Sequence, residues 1–236
     1  MSHLGIVAAV PAEARSLVRQ SIATGKWIRL SEGAVLKVSG IGPRQATVAS
    51  KWLLEEGATA LLSWGSAGGL APKLFSGNLI LPKTIIASDQ SLYHVETSWH
   101  ERLCNRLRGY VDFHIEPLVE STTVVRTPSE KADLFHQTGA IGVDMESAAV
   151  AIVAQEARVP FMVVRAITDS ADTIIPESVL NAMDEFGRLS CLKLIKELTK
   201  RPKELFALGR IARNYRAAHR TLTMVARLTG YNLLVL

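Results

Sequence analysis

The stretch of sequence that most constrains the fold is residues 139–172. Its alanine-rich run, residues 147–157, has small side chains and high helix propensity, which predicts a tightly packed helix. Pro160 ends that pattern, and the apolar residues 161–164 are typical of a short buried strand. The polar residues 165–172 follow directly and are predicted as a loop. Because ligands bind at the carboxyl ends of strands in open α/β sheets, this order favours an α/β domain with a ligand site here. A helix cap followed by a solvated loop would show the same local pattern.

Two segments of this stretch, VDMESAA (residues 143–149) and VVRAITDSAD (residues 163–172), resemble the signature pair of the nucleoside phosphorylase/nucleosidase superfamily. Residues 5–10, which lead to Glu13, and the glycine-rich turn GSAGGL (residues 65–70) resemble it too, in the same order. The chain is most similar to the branch of 5′-methylthioadenosine/S-adenosylhomocysteine nucleosidases. The resemblance implies a single α/β domain with a mixed central sheet flanked by helices, like that of purine nucleoside phosphorylases.

The resemblance also implies a pair of catalytic carboxylates. Breaking the N-glycosidic bond of a purine nucleoside requires an acid at the leaving base and a base for the nucleophile. By resemblance, Asp169 donates a proton or a hydrogen bond to N7 of adenine, and Glu13 activates the attacking water. Taken alone, Glu13 would be an ordinary first-turn glutamate of a helix running from about residue 12 to residue 21, and Asp169 a helix N-cap.

The substrate-binding residues that the resemblance implies are Ser66, Gly68, Val124, Val125, Met145 and Glu146. Glu146 would accept hydrogen bonds from both ribose hydroxyls, with Met145 packed against the sugar. The glycine-rich turn would let the backbone approach the ligand, and Ser66 would orient ribose or water. Val124 and Val125 stand where the similar nucleosidases carry an aromatic residue that stacks on the purine, so an aliphatic sandwich around the base is expected.

The sequence favours water as the nucleophile. Phosphorylases of the bacterial purine type carry an arginine two residues before the first glycine of this turn, where the chain has Ser63. Phosphate stays open as a co-substrate, because Arg44 or a neighbouring subunit could hold it. No metal or other cofactor is expected, since His94, His100 and His114 are not spaced as metal ligands.

Composition places the chain among globular proteins of the cytoplasm. Its 236 residues are 48% hydrophobic, enough to bury a substantial single core. Cys104 and Cys191 lie far apart and are expected to be reduced packing residues. The apolar run near the N-terminus, residues 6–10, is too short for a signal peptide, and no apolar stretch is long enough to span a membrane.

The C-terminal part of the chain has a different charge from the rest. Residues 193–236 hold ten Lys/Arg and two Glu, whereas residues 1–192 hold seventeen Lys/Arg and twenty Asp/Glu. This shift predicts a catalytic domain over residues 1–192 and a basic tail over residues 193–236. Within the tail, residues 203–228 are predicted as one amphipathic helix. Its apolar face comprises Leu208, Ile211, Tyr215, Ala218, Leu222, Val225 and Ala226, and its opposite face comprises Arg210, Arg213, Arg216, Arg220 and Arg227.

Three interpretations of the tail are compatible with this pattern. The helix can pack on the body or on a partner subunit of the expected homodimer. It can instead lie on an anionic membrane surface, which would make the protein peripheral to the inner face of the membrane. Binding of nucleic acid has the least support, because a basic stripe is its only indication.

A basic extension after a nucleosidase-like body resembles the hopanoid-associated phosphorylases, which remove adenine from adenosylhopane. The sequence therefore predicts cleavage of the N-glycosidic bond of a 5′-substituted adenosine, with a lipid-linked substrate favoured. A soluble 5′-methylthioadenosine/S-adenosylhomocysteine nucleosidase is the alternative. A catalytically idle nucleoside-binding or membrane-adaptor protein is the second alternative, although Glu13, Glu146 and Asp169 are all present.

Overall fold

The computed structural model describes residues 3–182, 190–201, 204–231, 233 and 235. The strands are β1 (Leu4–Ala8), β2 (Trp27–Ser31), β3 (Ala34–Val38), β4 (Ala60–Gly69), β5 (Leu79–Ile80), β6 (Thr84–Ile86), β7 (Leu92–His94), β8 (Phe113–His114), β9 (Leu118–Glu120), β10 (Gly142–Asp144) and β11 (Phe161–Asp169). The helices are α1 (Pro11–Ala14), α2 (Pro43–Glu55), α3 (Thr97–Leu107), α4 (Pro128–Thr138), α5 (Ser147–Ala157), α6 (Glu177–Asn181), α7 (Cys191–Lys200) and α8 (Glu204–Thr229).

The strands form one mixed sheet, as predicted. Its main path runs β2-β3-β1-β4-β10-β9-β6-β7, and β11 pairs with β4 and β5 while β8 pairs with β5. Strand β4 lies at the centre because it pairs in parallel with β1 through its first half, antiparallel with β10 at its end, and in parallel with β11 along most of its length. Strands β1, β4 and β11 therefore end at the same edge of the sheet.

Helices cover both faces of this sheet. Helix α5 is buried over most of residues 147–154 and packs against α2, because its alanines allow the two backbones to approach closely. Helix α8 packs against β11 with its second half, where Ala218, Leu222 and Val225 are at most 2% exposed. The single α/β domain with flanking helices and a C-terminal helix is confirmed.

Two polar segments that were predicted as loops are strand instead. Residues 65–69 of the glycine-rich segment are the second half of β4, and residues 165–169 are the second half of β11. The two halves pair with each other, up to Asp169 opposite Gly68. Backbone pairing therefore continues into the site, so its polar side chains stand on the sheet and not on a flexible turn.

Other boundaries differ as well. Helix α1 ends at Ala14 and not near residue 21, because it is followed by a turn. Helix α4 was not predicted, although Thr127 and Glu130 form a capping box and Pro128 follows the cap. The predicted tail helix corresponds to α8; residue 203, the predicted start, lies outside the described residues.

Candidate active site

A cavity of about 220 Å³ lies at the edge of the sheet where β1, β4 and β11 end. All eight residues predicted from the sequence line it: Glu13, Ser66, Gly68, Val124, Val125, Met145, Glu146 and Asp169. Asp144 lines it too, so four carboxylates surround one small space. The structure thus brings the predicted residues together, and their roles in a reaction stay predictions.

Glu13 is held at one side of the cavity by neutral donors. The turn at Pro11 carries the chain from β1 into α1 and points Glu13 back at the strand end. Its Oε2 accepts hydrogen bonds from the backbone N–H of Ala9 at 3.0 Å and of Val10 at 3.3 Å. Its Oε1 accepts from the N–H of Ser66 at 2.8 Å and from the Ser66 hydroxyl at 2.7 Å. Glu13 is 4% exposed, and protein groups occupy all four of its usual acceptor positions.

Gly65 makes this arrangement possible. A Cβ atom at residue 65 would lie 2.5 Å from Oε1 of Glu13 and 2.5 Å from Nη1 of Arg165. Because both neighbours are buried and held by hydrogen bonds, neither can move aside. The glycine lets a carboxylate and a guanidinium approach the strand from one face.

Arg165 is the buried cation beneath the cavity. Its Nε donates to Oδ2 of Asp144 at 2.6 Å, and its Nη2 donates to the Ser63 hydroxyl at 2.7 Å and the Ser147 hydroxyl at 3.2 Å. Its Nη2 also lies 3.9 Å from Oε2 of Glu146. Arg165 is 1% exposed and does not line the cavity. Through the Ser147 hydroxyl it ties β11 to the start of α5.

Glu146 lines the cavity beside the turn that precedes α2. Its Oε1 accepts a hydrogen bond from the N–H of Gly42 at 2.8 Å, at the turn that precedes α2. Burial, with a smaller contribution from the negative charge of Asp144, raises the pKa of Glu146 to about 8, although Arg165 opposes the shift. Nearby, burial and Asp144 raise the pKa of Glu120 to about 7. Glu120 accepts from the N–H of Ala149 and was not singled out from the sequence.

Asp169 stands at the end of β11 with a different set of partners. Its Oδ1 accepts from the Thr168 hydroxyl at 2.8 Å, and its Oδ2 contacts Nζ of Lys131 at 2.5 Å. Lys131 belongs to α4 and is fully buried. Sequence reasoning missed it, because a lysine on a polar helix is usually solvated and nothing in the local pattern marks this one as buried.

Aliphatic side chains form the remaining wall. Val124 and Val125 are half-buried and line the cavity together with Ile41, Ile175 and the half-buried Met145. The Ile175 N–H donates to the Arg126 carbonyl, which joins the segment before α6 to the segment that carries the two valines. A flat apolar ring can therefore be enclosed here without an aromatic partner.

The residues that line the cavity include no lysine or arginine within the described part of the chain. Arg44 is exposed and lies outside the lining. Ser63, which stands where the phosphorylases carry arginine, is buried in the Arg165 network. Among residues 3–182, 190–201 and 204–231, no group of three His, Cys, Asp or Glu residues is arranged to hold a metal ion.

A family model described as the phosphorylase superfamily matches residues 4–200. The chain belongs to the phosphorylase superfamily. This assignment covers all of the strands and every residue of the cavity, and it confirms the superfamily expected from the motifs.

Solved structures agree with the superfamily fold. The 5′-methylthioadenosine/S-adenosylhomocysteine nucleosidase from Neisseria meningitidis, in complex with methylthio-immucillin-A, has a TM-score of 0.68 and 19% identity, over 96% of this chain and 99% of that one. Futalosine hydrolase of Helicobacter pylori has a TM-score of 0.68 and 17% identity, over 96% and 97% of the two chains. The corresponding nucleosidase from S. pneumoniae, with a transition-state inhibitor, has a TM-score of 0.68 and 18% identity, over 94% and 97%. At these identities the likeness establishes a shared fold.

Proposed function

We propose that the protein cleaves the N-glycosidic bond of an adenosine substituted at its 5′ carbon and releases adenine. The observation that carries this proposal is the placement of Glu13, Glu146 and Asp169 around one cavity. The reaction needs a base for the nucleophile, a hold on the ribose, and a group that assists the leaving base. One carboxylate is available for each task.

Water is the proposed nucleophile, and Glu13 is its base. A water next to Oε1 of Glu13, where the Ser66 hydroxyl now donates, would lose a proton to Glu13 while its oxygen bonds to C1′. The bond from C1′ to N9 of adenine breaks in the same process. The lining of the cavity supports water over phosphate, because its described residues carry no cation to hold a phosphate. Phosphate held by Arg44 is the alternative that the experiment below addresses.

The leaving base is proposed to lie between Asp169 and the valines. Adenine is uncharged and flat, so Val124 and Val125 can enclose it by burial while Asp169 contacts N7. The ribose would then lie toward Glu146, whose carboxylate accepts hydrogen bonds from its two hydroxyls. Met145, which is half-buried at the same wall, packs against the sugar in this arrangement.

We also propose that the 5′ substituent is large and apolar, as in adenosylhopane. Three features support a lipid-like group. Besides the two valines assigned to the base, Ile41 and Ile175 add aliphatic surface to the cavity, and the adjacent Ile174 is 55% exposed. At the start of α8, next to α6, Phe206 is 88% exposed.

The same region supports peripheral contact with an anionic membrane. The start of α8 is joined to α6 by Glu204, which accepts from the N–H of Ser178 at 3.0 Å. Leu205 and Phe206 are exposed there, and Leu192 on α7 is 82% exposed beside the exposed Lys193. Apolar side chains flanked by cations are typical of surfaces that lie on anionic lipid. No helix among the described residues is long and apolar enough to cross a membrane.

The experiment that tests the proposed function measures adenine release by the purified protein. Methylthioadenosine and a long-chain 5′-alkyl adenosine are assayed side by side, each with and without phosphate. Release of adenine from the alkyl adenosine alone would support a lipid-linked substrate, whereas faster release from methylthioadenosine would identify a salvage-type nucleosidase. A rate independent of phosphate supports water. A phosphate-dependent rate that Arg44→Ala abolishes would show that phosphate is the nucleophile. No adenine from either substrate would contradict the proposal.

The homodimer implied by the resemblance stays a prediction. Light scattering of the same preparation would give the mass in solution, to be compared with the 25.7 kDa chain.

A further inference from the structure

Lys131 is a charged side chain that is shielded from water. It is 0% exposed, on the inner face of α4. Its Nζ lies 2.5 Å from Oδ2 of Asp169, 2.8 Å from the Ser170 carbonyl oxygen and 3.1 Å from the Thr173 carbonyl oxygen. An ammonium group has three N–H donors, and all three are used. Lys131 is therefore closed to the substrate and can act only through Asp169.

A buried ammonium is costly, so its position requires an explanation. Removing a lysine from water is unfavourable unless the charge is paired and hydrogen-bonded. A methionine would fill the same space and pack against the same helix without that cost. The two carbonyl contacts fix the segment after β11, but neutral donors could do so equally well. The salt bridge to Asp169 is the contact that specifically requires a positive charge.

We propose that Lys131 is a positioning residue that orients Asp169 and supplies the proton which Asp169 delivers to the leaving base. This inference rests on the proposed function. As the bond from C1′ to N9 breaks, its electron pair stays on adenine, and N7 takes a proton from the Asp169 carboxyl group. Lys131 passes one proton to Asp169 and becomes a neutral amine. Its two remaining N–H groups keep the Ser170 and Thr173 carbonyls, so the protein does not rearrange. After adenine leaves, water in the cavity carries the proton that Glu13 took from the nucleophile to Asp169, which returns it to the amine, so both residues regain their starting states.

Asp172 is a further charged group on the segment that follows Asp169. Asp172 is exposed, and its pKa is lowered by the Ser170 hydroxyl and, to a smaller degree, by Arg210 and Lys131. Its Oδ1 accepts from the Ser170 hydroxyl at 2.5 Å. Asp172 does not line the cavity. Asp172→Asn is therefore a matched control, because it removes a negative charge from the same segment while leaving the salt bridge to Asp169 in place.

The experiment compares two leaving groups in Lys131→Met, Asp169→Asn, the double variant and Asp172→Asn. One substrate is the adenosine that the wild type cleaves faster, and the other is 4-nitrophenyl riboside, whose nitrophenolate leaves without a proton. We expect Lys131→Met to lower kcat for the adenosine about 100-fold, within the range for lost general-acid assistance. KM for the adenosine and the rate with nitrophenyl riboside should change by no more than about threefold.

The double variant and the control variant test whether Lys131 acts through Asp169. The double variant should be no slower than Asp169→Asn alone, since both residues serve one proton transfer. Asp172→Asn should resemble the wild type. Equal loss on both substrates would assign Lys131 a purely structural role and overturn the inference while leaving the proposed function intact. A wild type that releases no adenine would overturn both. Should Lys131→Met fail to give the wild-type circular dichroism spectrum, Lys131→Gln, which keeps a neutral donor to Asp169, decides by the same comparison.

Discussion

The two sides of the cavity hold their carboxylates in opposite ways. The four hydrogen bonds that Glu13 accepts come from neutral donors, three from the backbone and one from the Ser66 hydroxyl, while the Arg165 guanidinium approaches it across Gly65. Asp169 is held by a fully buried ammonium group and one hydroxyl. A hydroxyl can rotate away and be replaced by water at small cost, whereas a buried salt bridge cannot be opened cheaply. The Glu13 side of the cavity can therefore exchange a hydrogen-bond donor for water, whereas the Asp169 side keeps its donor.

Replacement of Glu13 by glutamine should have the largest effect. The amide is close in shape but cannot accept a proton from water, so adenine release should fall about 1,000-fold, as for loss of a general base. The amide NH₂ would also face one of the N–H donors that now contact Glu13. Single-turnover adenine release and calorimetric binding of the substrate would check this. Unchanged turnover would show that Glu13 is not the base, and the proposed difference between the two sides of the cavity would no longer hold.

Arg165→Met should have the next largest effect, on stability. The variant leaves Asp144 buried without its cation, and such a loss costs about 3–5 kcal/mol in the free energy of unfolding. Lys73→Met is the matched control: Lys73 contacts Glu116 at 2.7 Å, close to the 2.6 Å of the buried pair, but its side chain is 58% exposed. That control should cost less than about 1 kcal/mol. Urea unfolding monitored by tryptophan fluorescence gives both values.

Glu146 should make activity and stability respond to pH in opposite directions. Because burial raises its pKa to about 8, Glu146 is protonated below that pH and becomes a charged acceptor for the ribose hydroxyls above it. We expect kcat/KM to rise about tenfold per pH unit as the pH approaches 8. The stability contribution runs the other way: a raised carboxyl pKa stabilises the folded protein at pH values below the unfolded value of 4.5, and this contribution is lost as the pH rises through about 8.

Two variants identify the carboxyl group that causes this pH dependence of kcat/KM. Glu146→Gln should flatten the rising limb of kcat/KM and also weaken substrate binding. Glu120→Gln removes the other carboxyl group whose pKa is raised, to about 7, and should leave the limb in place. A limb that persists in Glu146→Gln would show that another group titrates.

The smallest effects should come from removing the hydroxyl group that donates to each carboxylate, that of Thr168 for Asp169 and that of Ser66 for Glu13. Thr168→Val removes the donor to Oδ1 of Asp169, but Lys131 still holds Oδ2, so adenine release should fall by roughly threefold. Ser66→Ala removes the hydroxyl at the proposed water position and should cost roughly tenfold. Initial rates at saturating substrate measure both. A larger loss for Thr168→Val than for Ser66→Ala would contradict the view that the Asp169 side is the more rigid one.

Much of the site could be predicted because most of its polar residues sit in short contiguous motifs. Residues 65–69 and residues 165–169 each continue a buried, largely apolar run, and because β4 and β11 are parallel, these polar ends meet at one edge of the sheet. Helix α5 was predicted with its observed bounds, because an alanine run that a proline ends is a local signal. The mixed sheet followed from the resemblance and not from periodicity.

The rest depended on contacts that no local pattern records. Lys131 is buried only because α4 packs over the end of β11, and α4 itself was missed despite its capping box. Arg165 and Asp144 are 21 residues apart in sequence and meet because β10 and β11 both pair with β4. The glycine-rich segment was predicted as a turn because glycine is common in turns, whereas its observed role at Gly65 is to admit two side chains beside a strand.

Helix α8 has a consequence for how the chain is made. It follows all the strands in sequence, so a ribosome synthesises β11 well before the helix that covers it. Until Ala218, Leu222 and Val225 arrive, the apolar side of β11 lacks its cover. A nascent chain with such a surface is prone to aggregate and is a substrate for chaperones. Productive folding of the catalytic sheet therefore depends on the apolar residues of α8, which are synthesised after the whole sheet.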